Sequence, residues 1–133
     1  MLAMNERKYE LDVLSRVESG LHVPFREVSL GGRPPVEGSC HDNVDEWVRL
    51  NPECRAIRGW AANDGNSHTA HSVVKDECGN LFDITVKYGS SLFVRHIGSE
   101  EDFRRKVKCK HTIRYPDDLR DRLIAAQLRI FED

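Results

Sequence analysis

The segment HSVVKDECGNLFDIT, residues 71–85, constrains the fold more than any other part of the chain. It contains two short apolar runs separated by a turn-forming sequence, which is typical of a β-hairpin. If residues 77–79 form a three-residue loop with Gly79 in the left-handed conformation, Asp76 pairs with Asn80. The sequence therefore predicts both a hairpin and its register.

This register decides which polar side chains of the hairpin share a face. His71 is opposite Thr85, and Asp83 is the diagonal neighbour of His71, about 7 Å away or somewhat less. At that separation a carboxylate can reach the imidazole ring. A two-residue loop would instead place His71 and Asp83 on opposite faces. The length of the loop therefore decides whether the two side chains can pair.

Other segments with a similar composition surround the hairpin. They are rich in Val, Ile, Phe and Trp and are divided by turn sequences, as in an antiparallel sheet. The predicted strands cover residues 54–62, 70–74, 81–86 and 91–97. Apolar residues at helical spacing predict a helix from Asn5 to Leu21 and another from Pro116 to about Phe131. The expected fold class is α+β.

A further helix is predicted from Cys40 to Leu50, ending before Pro52 because the residue before proline avoids helical geometry. Ser39 is its expected N-cap. The helix follows residues 22–39, where glycine and proline are frequent and an irregular connection is expected. Loops of this length in compact domains often bind a ligand or gate access to a site. The thiol of Cys40 should lie at the edge of the buried face of the helix.

Length and charge narrow the functional classes. A chain of 133 residues is expected to form a single domain over residues 1–133. Its 20 basic and 22 acidic residues give a net charge of −2, and the basic residues are scattered, so nucleic acid is not an expected partner. The densest basic stretch, residues 103–111, is expected to be a solvated face of a strand or helix.

The apolar segments are too short to predict a transmembrane helix, and charges interrupt the first residues where a secretion signal needs an apolar centre. A cytoplasmic protein that does not bind membranes is therefore expected. In a reducing compartment, free thiols are favoured over disulfides. The cysteines concerned are Cys40, Cys54, Cys78 and Cys109.

Cys40, His71 and Asp83 together contain the elements of a thiol nucleophile. A thiol becomes strongly nucleophilic with a base or cationic partner, and the base needs a third group that holds its tautomer. A position in the first turn of a helix also lowers the pKa of a cysteine. The three residues are therefore candidates for a catalytic triad.

The residues around these three resemble a known family over about residues 38–86. The strings CHDNV, CRAIRGWA, AHSVV and GNLFDIT resemble the core of transglutaminase-like proteins, within the papain-like cysteine enzyme superfamily. The matching residues are Cys40, Arg55, Gly59, Trp60, His71, Val73, Val74, Asp83 and Thr85. Ile84 stands where the family prefers proline, and Ser72-Val73 replaces the usual small residue and tryptophan.

The resemblance implies a papain-like or transglutaminase-like α+β fold, with the cysteine helix packed on a small antiparallel sheet and flanked by other helices. It also implies that Cys40 is the nucleophile, His71 the general base and Asp83 the orienting acid. The substrate would be a peptide or another amide, including one within a protein, and neither a cofactor nor a metal would be needed. Water as the acceptor would make the protein a peptidase, amidase or deamidase, and an amine would make it a transglutaminase.

Simpler interpretations of the same residues remain open. Cys40 could be a small apolar residue packed under its helix, and His71 could be a strand histidine bonded to a backbone carbonyl. Asp83 could face solvent between two apolar neighbours. His68 is an alternative base, whereas His41 has no catalytic role in this prediction.

Two other classes of protein remain as alternatives. The first is an interaction domain that keeps the fold but performs no catalysis. The second is a zinc-binding module, since the chain has several cysteines and histidines, although it contains no Cys-x-x-Cys pair of the kind that structural zinc sites use.

Overall fold

The computed structural model describes residues 2–132, with side chains for residues 6–125, and has the α+β class that the sequence predicts. The helices in this range are α1 (Leu2–Arg16), α2 (Cys40–Leu50), α3 (Glu100–Lys108) and α4 (Asp117–Glu132), and a 3₁₀ turn (Val17–Ser19) follows α1. The strands are β1 (Leu21–Val23), β2 (Arg55–Ala62), β3 (Ser67–Lys75), β4 (Leu81–Phe82), β5 (Ser90–Arg95) and β6 (Thr112–Arg114).

The strands form one open antiparallel sheet in the order β1-β5-β2-β3-β4, and β6 pairs with the start of β3. The long β2–β3 hairpin is its centre and places Gly59 directly opposite His71. Beyond their ends the two edge strands approach each other, because Phe25 forms a parallel bridge with Asp83. The sheet therefore curls around the face that carries His71.

The predicted β3–β4 register is confirmed. Lys75 pairs with Leu81, the amide of Asp76 donates to the carbonyl of Asn80 over 2.9 Å, and Gly79 has a φ of 88°. A positive φ at this position is the conformation that glycine adopts without steric cost. The local loop chemistry alone was enough to fix this pairing.

The strand predicted over residues 81–86 is shorter than expected, because β4 ends at Phe82. The backbone of Asp83 bonds elsewhere: its amide donates to the carbonyl of Pro24 over 2.8 Å, and its carbonyl accepts from Arg26 over 2.9 Å. The connection that follows β1 therefore takes over from β3 as the partner of this segment.

The predicted first helix also ends earlier than expected. α1 stops at Arg16, the 3₁₀ turn follows, and Leu21 begins β1 in pairing with Phe93. Gly20 is extended, with φ −60° and ψ 153°, and a Cβ there would lie 2.4 Å from the backbone of Leu92. Close approach of β5, rather than a left-handed helix end, accounts for this glycine. The basic stretch 103–111, for which the sequence left a strand or a helix open, contains most of α3.

The apolar core lies on both faces of the sheet. On one face, α1, α3 and α4 pack around Trp60 and Val94. α2 packs through Val44 on Val74 and Phe82, near the β4 edge. The cluster on the opposite face consists of Val23, Ala61, Val73 and Phe93.

The start of α2 lies against the edge of β3, at the stretch where neither β4 nor β6 pairs with β3. β6 pairs with residues 67–69 of β3 and β4 with residues 74–75, which leaves the edge of residues 70–73 between them. His41 occupies this edge, since its Nδ1 lies 2.6 Å from Oγ of Ser72. Because alternate strand residues face opposite ways, a residue at this edge can contact groups from both faces.

We expect Gly59→Ala to destabilise the protein by roughly 1–3 kcal/mol through overpacking. A Cβ at this position would lie 2.2 Å from the carbonyl oxygen of Val94 and 2.7 Å from the ring of Phe93. Alanine without such a conflict stabilises a strand relative to glycine, so the sign of the change is informative. Urea denaturation followed by circular dichroism measures it, and Arg55→Ala at the exposed start of β2 should change stability by less than about 0.5 kcal/mol.

Candidate active site

Cys40 is the first residue of α2 and is half-buried at the edge of β3. The rings of His41 and His71 lie close enough to its thiol for each of them to lower the pKa of Cys40. Ser39 occupies the N-cap position as predicted, but its side chain makes no capping bond there. The structure thus brings the candidate thiol and base together, and adds a second histidine that the sequence analysis left out of the site.

His71 connects the thiol to a buried carboxylate. Its Nε2 lies 2.6 Å from Oδ2 of Asp83, and Asp83 is fully buried while His71 is 7% exposed. Because Nε2 is engaged by Asp83, Nδ1 is the ring nitrogen that remains for Cys40. The diagonal pair expected from the hairpin register is therefore present.

The carboxylate of Asp83 has hydrogen bonds on both oxygens. Besides His71, Oδ2 accepts from the hydroxyl of Ser90 over 2.6 Å, and Oδ1 accepts from the amides of Thr85 and Val86 over 2.8 Å each. Burial raises the pKa of Asp83, but the bonds from His71 and Ser90 and the charge of the ring outweigh it and lower the pKa below its ordinary value. Asp83 is therefore ionised at neutral pH.

The thiol and His71 favour their charged forms. Burial raises the pKa of Cys40, but hydrogen bonds with His41 and His71 and their charge outweigh it and lower the pKa to about 6. Burial lowers the pKa of His71, but Asp83 and Cys40 outweigh it and raise the pKa to about 9. Between these values the pair exists as a thiolate and an imidazolium.

His41 belongs to a polar network on the other side of β3. Ser72, to which it bonds, is fully buried and also accepts from Nη1 of Arg58 over 2.9 Å. Arg58 bonds in turn to Asp45 and Glu100. Arg104 completes the network, with Nη2 at 2.8 Å from Asp45. Because strand alternation places Ser72 on the opposite face from His71, these residues could not be grouped with the site from the sequence.

Asn43 fixes the long connection beside the site. Its side chain donates to the carbonyl of Val36 over 2.8 Å and to Thr85 Oγ1 over 3.0 Å, while its Oδ1 accepts from the amide of Val36 over 3.0 Å. Leu30, midway along the connection, is 2% exposed. Residues 22–39 are therefore anchored to the same turn that holds Asp83.

The other candidate base lies elsewhere. His68 is fully buried, with Nδ1 bonded to Tyr115 and Nε2 at 2.8 Å from the carbonyl of Leu92. Burial lowers the pKa of His68, so it is neutral at pH 7. Both ring nitrogens have structural partners, and His68 has no contact with Asp83 among the bonds of the described residues.

Ser90 is a further residue that the sequence analysis missed. It begins β5, eight positions beyond β4 along the chain, and its hydroxyl reaches Asp83 only because the sheet curls. A serine at the start of a strand has no distinctive pattern in the sequence. Only the three-dimensional arrangement identifies it.

Comparisons with known proteins give no relative for this chain: no family model, curated protein or solved structure matches it. Within residues 2–132, none of the helices has the length and apolar character needed to cross a membrane. The functional argument therefore depends on the geometry of the site.

Asp83→Asn should lower the free energy of unfolding at pH 7 by roughly 1–3 kcal/mol, because it disturbs a buried and fully bonded carboxylate. Folding lowers the pKa of Asp83, so the stability that it contributes is present above the unfolded-state pKa of about 3.9 and is lost as pH falls below that value. The difference between wild type and variant should therefore shrink towards pH 3.

Urea denaturation at several pH values measures this difference. Asp117→Asn is the matched control, because the side chain of Asp117 is 93% exposed, and it should change stability by less than about 0.5 kcal/mol. A difference between wild type and Asp83→Asn that stays constant from pH 7 to pH 3 would contradict a buried, ionised Asp83.

Zinc is not expected to contribute to the fold. Among the side chains that the structure describes, no three His, Cys, Asp or Glu residues are grouped as metal ligands. Elemental analysis of the purified protein should find no stoichiometric zinc, and a chelator should leave the melting temperature unchanged. One zinc per chain together with unfolding on chelation would favour the metal-binding alternative.

Proposed function

We propose that this protein is a cysteine-dependent enzyme that transfers an acyl group from an amide, to water or to an amine, through a thioester intermediate. The observation that supports this most is the continuous set of contacts from the Cys40 thiol through His71 to the buried carboxylate of Asp83. Each member has the protonation state that its role requires. The proposed fold family is papain-like, of the transglutaminase-like kind.

In the first step the Cys40 thiolate attacks the carbonyl carbon of the amide and forms a C–S bond. The imidazolium of His71 then donates its Nδ1 proton to the leaving nitrogen as the C–N bond breaks. An amine departs, and a thioester and a neutral His71 remain.

In the second step His71 accepts a proton from water or from an amine. The activated oxygen or nitrogen attacks the thioester carbon, and the C–S bond breaks. The sulfur leaves as a thiolate beside the newly formed imidazolium, so the starting state is regenerated. Asp83 stays ionised throughout and holds the His71 ring through Nε2.

The amide of Cys40 is suited to stabilise the oxyanion that forms in both steps. It is at the start of α2, where backbone N–H groups have no partner within the helix. The helix dipole also favours negative charge at this end. A donor placed at the developing charge contributes typically a hundredfold or more to the rate.

A catalytically inert domain is the competing interpretation. A domain that only packs would not need three ionised groups in and beside its core, because burying charges is costly even when they are paired. Cys40 is also half-buried rather than enclosed in the core. These features favour the enzyme.

The first test measures the ionisation of Cys40 without requiring the substrate. We expect iodoacetamide to alkylate Cys40 with a midpoint near pH 6, the pKa that its partners produce. His71→Ala removes the imidazolium, and the midpoint should rise by about two pH units towards that of a free thiol. Peptide mass spectrometry at a series of pH values measures both.

Cys78 and Cys109 are exposed and serve as internal controls in the same sample. They should react slowly below about pH 7, in both the wild type and the variant, as ordinary thiols do. Equal labelling of all exposed thiols in the wild type, unchanged in His71→Ala, would leave the interaction domain as the better interpretation.

The second test follows acyl transfer. Incubation with p-nitrophenyl acetate should move the acetyl group to the Cys40 sulfur and release p-nitrophenolate, giving an absorbance burst of about one equivalent. Cys40→Ala should abolish the burst, and His71→Ala should slow it at least tenfold (about 1.4 kcal/mol in barrier). The ratio of acetate to N-methylacetamide formed in methylamine, after subtraction of the products formed with Cys40→Ala, then identifies the preferred acceptor.

A further inference from the structure

The basic stretch of the sequence places apolar and cationic side chains next to each other on α3. Phe103 and Val107 are four residues apart, and so are Arg104 and Lys108, so each pair lies along one side of the helix. Phe103 is 1% exposed and Val107 is half-buried, whereas Arg104 and Lys108 are exposed. The apolar pair therefore faces the sheet, and the cationic pair lies beside it at the surface.

Both pairs line a cavity next to the proposed nucleophile. The cavity has a volume of about 220 Å³, and His41 and Arg58 complete its lining. His41 directly follows Cys40 in α2, and consecutive Cα atoms are about 3.8 Å apart. The wall of the cavity therefore begins one residue from the thiol that the proposed mechanism uses.

The inner part of the cavity is apolar, and its wall is held in place. Phe103 packs edge-to-face on the ring of His41 with 5.6 Å between centroids, and Nδ1 of His41 lies 2.6 Å from Oγ of Ser72. A cavity of about 150 Å³ with apolar walls is large enough for benzene. A space of about 220 Å³ therefore has room for the side chain of one aromatic or branched apolar residue.

The two arginines of the lining differ in the donors that they have left. The side chain of Arg58 is 9% exposed, and each of its three nitrogens bonds within the protein, to Ser72, Asp45 and Glu100. The side chain of Arg104 is 51% exposed and uses Nη2 for Asp45 and Nε for Glu100. No bond of the described side chains uses Nη1 of Arg104, which can still donate to a ligand.

The rim of the cavity is suited to an anion. Lys108 is exposed and forms no ion pair among the side chains that the structure describes. It lies beside Arg104, and none of the residues that line the cavity is acidic. Carboxylates are strong acceptors for such donors. A ligand with a carboxylate next to an apolar side chain is therefore complementary to both parts of the cavity, and a peptide has both groups on its C-terminal residue.

We propose that this cavity is a substrate subsite for the C-terminal residue of a peptide, with an apolar side chain in its inner part and the free α-carboxylate at its rim. The side chain contacts Phe103 and Val107, and the carboxylate binds Arg104 and Lys108. This inference rests on the proposed function and names its substrate class. The amide that Cys40 attacks is then the last one of the peptide, and the amine that leaves is the C-terminal amino acid.

Two iodoacetyl reagents form a matched pair that tests the rim without a known substrate. N-iodoacetylphenylalanine has a ring and a free carboxylate, and N-iodoacetylphenylalaninamide has the same ring with a neutral amide. In each case the Cys40 thiolate forms an S–C bond at the CH₂ group, and iodide leaves. At pH 7 the acid should label Cys40 about fivefold faster than the amide, relative to their ratio for free β-mercaptoethanol, because one carboxylate pairs with two partly exposed cations. Peptide mass spectrometry measures the rates.

Charge variants at the rim connect this preference to the cavity. Lys108→Gln should reduce the ratio of acid to amide labelling by about twofold, and Lys108→Glu should remove the preference through like-charge repulsion. Lys8→Gln, at an exposed lysine of α1 outside the lining, is the matched control with the same change in charge and should keep the wild-type ratio. Because both reagents react with the same thiolate, a change in the pKa of Cys40 cancels in the ratio.

A third reagent, N-iodoacetylglycine, tests the inner part of the cavity because it has the carboxylate but no ring. The phenylalanine reagent should label Cys40 roughly tenfold faster than the glycine reagent, since its ring leaves water on binding. Val107→Phe fills part of the cavity and should remove most of this advantage, with labelling by iodoacetamide unchanged. Melting temperatures measured in parallel show whether this variant keeps its fold. The Lys108 variants change only an exposed side chain, so they test the rim independently.

The outcomes separate this inference from the proposed function. Equal corrected rates for the acid and the amide in the wild type, or a ratio that Lys108→Glu leaves unchanged, would overturn the inference. If Cys40 then still reacts with a midpoint near pH 6, only the subsite is wrong. If Cys40 titrates like Cys78, the proposed function itself fails, and the subsite with it.

Discussion

The buried carboxylate of Asp83 is the contact point on which the arrangement of the site depends. Removing an ionised carboxylate from water is costly unless hydrogen bonds replace its hydration. Its four bonds come from His71 on β3, Ser90 on β5 and the two amides of the turn after β4. A single side chain thus holds three segments together, and the cost of leaving it unsatisfied resists their separation.

The second organising feature is the meeting of α2 with the unpaired stretch of β3. A thiol at the start of a helix that contacted only one face of the sheet would interact only with side chains from that face. At a strand edge it has access to both faces, and here these differ: one supplies a ring bonded to a carboxylate, and the other supplies a ring bonded to a hydroxyl under an arginine.

Local sequence was sufficient for the parts of the fold that short-range chemistry determines. The turn at Gly79 fixes the β3–β4 register, and with it the pairing of His71 with Asp83. The end of α2 follows equally from Pro52, whereas Ser39 precedes the helix without a capping bond from its side chain.

Contacts between segments that are distant along the chain determine the features of the fold and site that could not be predicted from the sequence. Leu21 continues the helical pattern of α1 but pairs with Phe93, so long-range pairing overrides local periodicity. Ser90 and His41 join the site through the curl of the sheet and the gap in its edge. Neither feature leaves a local signal, since a hydroxyl or an imidazole has the same sequence context whether or not it meets a carboxylate or a thiol. Hydrogen bonds also join the backbones of Pro24 and Arg26 to that of Asp83, and the backbone of Val36 to the side chain of Asn43, so residues 22–39 support the segment that carries the buried carboxylate. Length and composition alone do not distinguish such a support from a mobile cover.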